Sequence, residues 1–160
     1  ITWSLFIKKN QQLMEHRKLA IYLGYSGLIP FYSINVLYFY LGRIEYLIDV
    51  YLLYSLVILS FLCGTHWSKI LNTETIKNKN FILVLSVGLP IVGFFLDFIQ
   101  NQDIKLLLYI LGFFAVNLID RNLFFEKNND WYLTLRKRLT FLVIISQIIN
   151  LFAIYSHRFF

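Results

Sequence analysis

Five long apolar segments constrain this chain more than any other feature of its sequence. They run from about Leu19 to Leu41, Leu47 to Trp67, Phe81 to Ile99, Ile104 to Phe124 and Leu139 to Tyr155. At a rise of 1.5 Å per residue, helices of about these lengths cross a hydrocarbon layer roughly 30 Å thick. With 58 % hydrophobic and 15 % charged residues, a 160-residue chain also carries more apolar surface than a small water-soluble domain buries. The sequence therefore predicts an all-α polytopic membrane protein, a compact bundle of five transmembrane helices.

When the five segments cross a membrane in alternating directions, most of the lysine and arginine residues fall on the same side. Four lie in the N-terminal arm, three between the second and third segments and five between the fourth and fifth, which makes twelve of the fifteen. The opposite side receives only Arg43, Lys105 and Arg158. Because short loops rich in Lys and Arg stay on the cytoplasmic side, we expect the N-terminus in the cytoplasm or mitochondrial matrix. The C-terminus is then expected on the other side.

The net charge of +6 therefore reflects the expected membrane topology of the chain. Several classes of function are not expected. The basic residues are spread along one membrane face without a nucleic-acid module, so no nucleic-acid partner is predicted. Cys63 has no second cysteine for a disulfide or metal site, and no two histidines lie at matching depth to ligate a haem. Protease, hydrolase and P-loop motifs do not occur. We expect no catalytic constellation, no metal and no cofactor.

The chain divides into residues 1–18 and a five-helix domain over residues 19–160. In the arm, Trp3, Phe6, Ile7, Leu13 and Met14 fall near one helical face, with most charged residues elsewhere. This pattern is typical of an amphipathic helix lying in the membrane interface. An ordinary frayed terminus is the alternative.

Proline and small residues predict how the helices bend and pack. Pro30 and Pro90 fall in mid-span, where each removes a backbone hydrogen bond, so a kink or widened turn is expected at both. Two small-xxx-small spacings predict close helix contacts; they are Ala20 with Gly24, and Ser60 with Gly64.

Polar residues inside the segments fall into two groups. Asp49 and Asp97 lie near the ends that face away from the basic side, where water or a headgroup can reach a carboxylate. Asn117, Gln147 and Asn150 lie deeper, and we expect them to form interhelical hydrogen bonds. A polar conduit through the membrane is the alternative interpretation.

The predicted topology gathers a set of conspicuous residues at the basic face. The stretch "SFLCGTHWSK" ends the second segment there, "DRN" ends the fourth, and "DWYLTLRKR" precedes the fifth. The candidate interfacial motif comprises His66, Trp67, Asp120, Arg121, Trp131, Tyr132 and Arg136. We expect His66 and Asp120 to form either a proton-transfer pair or a structural pair, in which Asp120 fixes the histidine tautomer while pairing with an arginine. Three arginines, Arg121, Arg136 and Arg138, are candidates for binding an anionic lipid headgroup.

Five motifs together resemble one family. They are "YLGYSGLIPF", "SFLCGTHWS", "LSVGLP", "LIDRN" and "WYLTLRKRLT", and they look like successive motifs of the uncharacterised multi-pass family that includes transmembrane protein 69. The resemblance covers about Leu19 to Asn150. Cys63 departs from the pattern, which has a glycine or another small residue there. The resemblance singles out Gly24, Gly27, Pro30, Ser60, Phe61, Gly64, His66, Trp67, Pro90, Asp120, Arg121, Trp131, Tyr132, Arg136 and Thr140.

The resemblance implies a bacterial inner membrane or the mitochondrial inner membrane and leaves molecular activity open. We expect a non-enzymatic accessory subunit or assembly factor of a larger membrane complex, with the respiratory chain as the candidate system. A small carrier or a protein that binds anionic lipid such as cardiolipin is the alternative. A proton-linked membrane enzyme using His66 and Asp120 is a third hypothesis. The expected partners are membrane lipids and other integral membrane subunits.

An odd number of spans predicts that the two termini emerge in different compartments. Accessibility tags fused to either end, assayed in sealed membrane vesicles, should report opposite sides. Two tags on the same side would contradict the five-span topology.

Overall fold

The computed structural model describes residues 2–41, 44–73, 78–124 and 130–159, which form helices and no strand. A 3₁₀ turn at Leu96–Phe98 follows the fourth helix. The six α-helices are α1 (Thr2–Ser26), α2 (Ile29–Leu41), α3 (Glu45–Leu71), α4 (Lys79–Phe95), α5 (Gln102–Leu123) and α6 (Asp130–Phe159). We call the end of the bundle where α3 and α5 finish and α4 and α6 begin the basic end. The other is the opposite end.

Among the described residues, five helical stretches are long and apolar enough to span a membrane, which confirms the predicted all-α polytopic bundle. They are Met14–Leu41, Tyr46–Leu71, Lys79–Phe98, Gln102–Leu123 and Trp131–Ser156. The last of them differs from its prediction, because it begins eight residues before Leu139.

The three consecutive basic residues 136–138 therefore lie inside α6, whereas the sequence placed them before the fifth segment. Arg136 is buried and hydrogen-bonded to a carboxylate, while Lys137 and Arg138 are exposed. A helix near the membrane boundary tolerates such residues when one is paired inside and the others project outward.

The first span is broken into α1 and α2, as Pro30 predicted. Gly27 and Leu28 form a turn between the two helices. The break follows from Pro30, which has no backbone N–H to donate and crowds the preceding helical turn. The Tyr54 hydroxyl donates to the Gly27 carbonyl at 2.9 Å and satisfies an acceptor that the break exposes. At Pro90, in contrast, α4 continues as one helix.

Four helices, α2, α3, α5 and α6, form a ring in which each packs against the next. The largest side chains of the core are fully buried inside this ring; they include Phe31, Tyr51, Leu106, Phe113 and Val116. Helix α4 packs mainly on α3 and has few contacts with α5, and α1 packs on α6. Side chains on different helices of the ring can therefore meet in its interior.

The two small-xxx-small motifs have different environments. A Cβ atom on Gly24 of α1 would lie 2.7 Å from Leu139 Cδ1 on α6, so a larger residue at this position requires the end of the Leu139 side chain to shift. A Cβ atom on Gly64 of α3 would meet no atom within 4 Å, and Gly64 is exposed. The close contact predicted for the second motif is therefore not made within the described part of the chain.

The N-terminal arm is helical, since α1 continues through residue 18 without interruption. Met14 is exposed. The amphipathic face predicted on Trp3, Phe6, Ile7 and Leu13 lies outside the residues whose side chains the structure describes.

Gly24→Val should destabilise the bundle relative to Gly64→Val by about 1 kcal/mol, the low end of the range for overpacking, because the atom that must move is the end of the Leu139 side chain. The two variants make the same change of residue in a helix, so the difference isolates the contact with Leu139. Denaturation with a strong detergent, followed by circular dichroism, measures it. Equal losses in the two variants would contradict the close contact.

Candidate functional site

Three charged or titratable side chains converge inside the basic end of the bundle. His66 lies near the end of α3, Asp120 near the end of α5, and Arg136 in the second turn of α6. All three are withdrawn from solvent, with exposed fractions of 0 % for His66, 0 % for Asp120 and 4 % for Arg136. We call them the triad. The sequence predicted these residues at one membrane face, and the ring of helices turns them into its interior.

Asp120 is the centre of the triad. Arg136 donates to both of its carboxylate oxygens, from Nε to Oδ2 at 2.8 Å and from Nη2 to Oδ1 at 2.7 Å. This two-point pairing matches the planar guanidinium to the planar carboxylate. His66 Nε2 lies 2.6 Å from Asp120 Oδ1. One carboxylate therefore links α3, α5 and α6.

The remaining guanidinium contacts of Arg136 are also within the protein. Its Nη1 donates to Thr65 Oγ1 at 2.8 Å and to the Tyr132 hydroxyl at 3.2 Å. The guanidinium carbon lies 4.9 Å from the centre of the Phe124 ring and 5.6 Å from that of Tyr132. Cation–π contacts of this kind are strongest where water is excluded. Arg136 is thus held by hydrogen bonds in its plane and by aromatic rings over its faces.

The short contact with Asp120 determines the tautomer of His66. A carboxylate paired with arginine is an acceptor, so His66 Nε2 carries the proton and donates it to Asp120. The other ring nitrogen, Nδ1, is buried and has no hydrogen-bond partner within the described part of the protein. In chemical terms the triad can hold the imidazole in one orientation or pass a proton between the imidazole and the carboxylate.

Only part of the predicted interfacial motif joins the triad. Tyr132 contacts Arg136, whereas Trp67 and Arg121 are exposed. Trp131 is half-buried outside the triad, where its ring lies 4.9 Å from the Arg17 guanidinium carbon and connects α6 with α1. Thr65 was not anticipated. Thr65 lies next to His66 in the same turn of α3, and the long Arg136 side chain reaches it from α6.

The three arginines predicted to bind lipid are divided between two places. Arg121 and Arg138 are exposed and line a groove of about 420 Å³ between α5 and α6, together with Asn117, Lys137 and Phe141. Arg136 faces the interior and its guanidinium is bonded to Asp120. Neighbouring residues on a helix point about 100° apart, so Arg136 and Lys137 cannot face the same side.

A second buried polar cluster lies toward the opposite end of the ring, and we call it the distal cluster. Asn35 Nδ2 on α2 donates to Ser146 on α6, to its carbonyl at 3.1 Å and to its Oγ at 3.0 Å. Asn150 Nδ2 donates to Asn35 Oδ1 at 2.6 Å, and the Tyr51 hydroxyl lies 2.9 Å from Ser146 Oγ. The interhelical hydrogen bond predicted for Asn150 is therefore present.

The interhelical hydrogen bonds predicted for Gln147 and Asn117 are not found at three of their buried side-chain atoms. Both side-chain polar atoms of Gln147, and Oδ1 of Asn117, lack a hydrogen-bond partner within the described residues. Asn35 and Ser146 were not predicted. For Ser146, the available signal was the set of polar residues along the fifth apolar segment, which are Thr140, Ser146, Gln147 and Asn150.

The predicted outer carboxylates have partners at the opposite end. Asp49 is exposed and accepts from Gln102 Nε2 at 3.4 Å. Asp97 is 53 % exposed and lies 4.0 Å from Lys105 Nζ. Across the parts of the chain that the structure describes, no three His, Cys, Asp or Glu side chains are close enough together to hold a metal ion.

Comparison with known proteins identifies the chain at the level of a family. A family model described as a protein of unknown function (DUF3429) matches residues 16–152, which include both polar clusters. No curated protein and no solved structure is significantly similar to the chain.

Asp120→Asn should cost about 3–5 kcal/mol of stability, because it leaves the Arg136 charge buried without its counter-ion. Asp49→Asn is the matched control, since Asp49 is exposed and accepts from Gln102 at 3.4 Å, and an exposed polar contact contributes only about 0–1 kcal/mol. Detergent denaturation of the purified protein measures both losses. If the two variants lost similar stability, the triad would not be the principal electrostatic link of the bundle.

Proposed function

We propose that this chain, which belongs to the DUF3429 family of proteins of unknown function, is a non-enzymatic integral subunit or assembly factor of a larger membrane complex. The observation that carries the proposal is the open face of α3 around Gly64. This glycine belongs to a motif suited to helix association, and its neighbours in space within the described chain do not cover it.

The α3 face has the shape and chemistry of a helix-docking surface. Phe61 and Trp67 flank Gly64 along the helix and are 67 % and 42 % exposed, and Val57 is 55 % exposed. A small residue between larger ones lets the backbone of a second transmembrane helix approach closely. Aromatic side chains then supply contact area on either side. These features support a transmembrane helix of another subunit as the occupant.

The buried triad supports a structural role for the bundle. Asp120 accepts from both His66 and Arg136, and Arg136 is further engaged by Thr65 and Tyr132. An ion pair with this many hydrogen bonds is expected to fix the positions of the helices that carry it. A scaffold with a rigid interior presents its outer helix faces in a constant arrangement to a partner.

The location is part of the same proposal. We place the protein in the mitochondrial or a bacterial inner membrane because the resemblance of its motifs implies it. The basic loops favour an N-terminus on the matrix or cytoplasmic side. The five quoted motifs support a finer likeness to the family that includes transmembrane protein 69. A respiratory complex is the candidate partner.

Extraction from the native membrane in mild detergent, followed by native mass measurement, tests the proposal. The wild-type protein should be found in a stable larger assembly, and Gly64→Leu should release it because the added side chain blocks the backbone approach. Gly88→Leu on α4 is the control, since a Cβ atom there also meets no atom within 4 Å. A fully functional lone monomer would overturn the proposal.

A His66→Gln variant that assembles normally but loses a pH-dependent activity would favour the proton-linked enzyme instead.

Binding of an anionic lipid is the second candidate function, and the groove between α5 and α6 favours it. Arg121, Lys137 and Arg138 bring three exposed cations to one groove at the basic end, beside the exposed ring of Phe141. A lipid phosphate pairs with such cations, and its acyl chains pack against the apolar side chains deeper in the membrane. Cardiolipin, with two phosphates, is the candidate lipid.

Replacing Arg121, Lys137 and Arg138 together by glutamine should remove the anionic lipid that copurifies with the protein. The control variant replaces Lys18, Lys69 and Lys79 by glutamine, which changes the net charge equally and alters no residue that lines the groove. Lipid mass spectrometry of the two purified variants provides the measurement. Equal lipid loss in both would indicate a non-specific charge effect and exclude the groove as the site.

A further inference from the structure

Asn150 of the distal cluster and Gln147, one turn before it on α6, carry buried polar atoms that the hydrogen bonds of the cluster do not satisfy. Gln147 and Asn150 are both 0 % exposed. Oε1 and Nε2 of Gln147 and Oδ1 of Asn150 have no hydrogen-bond partner within the described part of the protein. These residues lie one turn apart on α6, inside a bundle whose surroundings are hydrocarbon. In such an environment unsatisfied amide groups are strongly unfavourable, so they indicate a ligand.

The orientation of Asn150 follows from the hydrogen bonds of its neighbours. Asn35 Nδ2 donates to Ser146, so the other end of the Asn35 amide must be an acceptor. Asn150 therefore presents its NH₂ group to Asn35 Oδ1, at 2.6 Å. Turning the Asn150 amide round would bring two carbonyl oxygens together. Asn150 Oδ1 is consequently a fixed, available acceptor.

The chemistry of the available atoms defines the class of ligand. Two acceptors, Gln147 Oε1 and Asn150 Oδ1, require a donor, while the Gln147 NH₂ group requires an acceptor. A bare cation cannot accept from the NH₂ group, and an anion without hydrogen cannot donate to the two oxygens. Gln147 and the four residues of the distal cluster are neutral, so they provide no counter-charge for either ion. Water is the smallest molecule that meets every requirement.

We propose that the distal cluster is an internal hydration site, in which water bridges Gln147 and Asn150 beside Tyr51 and Ser146. The site is distinct from the triad, because Gln147 lies eleven residues from Arg136, about 16 Å along the axis of α6. Buried Val143 lies between them on α6. The water completes the polar contacts that attach α2, the half-helix beyond the break, to α6. The proposal does not depend on the proposed function.

Hydroxyl-radical footprinting by X-ray radiolysis of the intact protein in lipid nanodiscs tests this site. Radicals formed from a bound internal water label the side chains next to it, even where bulk solvent is excluded. Tyr51 is the reporter, since it is 0 % exposed and its hydroxyl belongs to the cluster. Tyr109 is the internal control, being 2 % exposed and bonded to the Gly93 carbonyl at 3.1 Å.

We expect Tyr51 to be oxidised well above Tyr109 in the wild-type protein, as quantified by peptide mass spectrometry. Gln147→Leu should remove this excess, because it removes both polar atoms of the Gln147 side-chain amide. Ser55→Ala is the matched control, since the Ser55 hydroxyl is also buried but already donates to the Tyr51 carbonyl at 2.9 Å. It should leave the excess unchanged.

Labelling of Tyr51 at or below the level of Tyr109 in the wild type would overturn the proposal, whether or not Gln147→Leu folds. So would an excess that persists in a folded Gln147→Leu variant.

Discussion

The buried pairing of Arg136 with Asp120 is the interaction on which the arrangement of the basic end depends. It links α5 to α6 through two hydrogen bonds, of 2.7 and 2.8 Å, and His66 extends the link to α3. Charges are expensive inside a membrane protein unless they are paired and hydrogen-bonded. The pair therefore excludes arrangements of these helices that leave either charge alone, and in this way it fixes their relative position.

The same pair explains what the basic end presents to its surroundings. With Asp120 and Arg136 turned inward, helical geometry directs Arg121, Lys137 and Arg138 outward into one groove. The buried charges and the exposed cations are thus two consequences of one helix register. The open face around Gly64 lies on α3, which the triad also holds. Both proposed contacts, with a helix and with a lipid, would use surfaces whose positions this interior network sets.

Much of the fold could be predicted because a bilayer imposes simple requirements on sequence. The break before Pro30 followed from the missing backbone donor, and the bundle from the length of the apolar segments. The fifth span was predicted to begin too late, since Arg136 looked incompatible with a membrane helix when its partner was unknown. The site was predictable in part. His66 and Asp120 could be assigned to one face, whereas the inward position of Arg136 and the participation of Asn35 and Ser146 could not.

The sequence by itself determined the number of spans and which residues share an end of the bundle, because hydropathy and helix length act locally along the chain. The tertiary structure decided which of those residues meet. Arg136 and Arg138 lie two positions apart and have the same charge, yet one is bonded to Asp120 in the interior and the other faces a groove. That difference depends on how α6 is rotated against α3 and α5. The rotation results from packing and charge pairing between segments distant in sequence, which no local pattern contains.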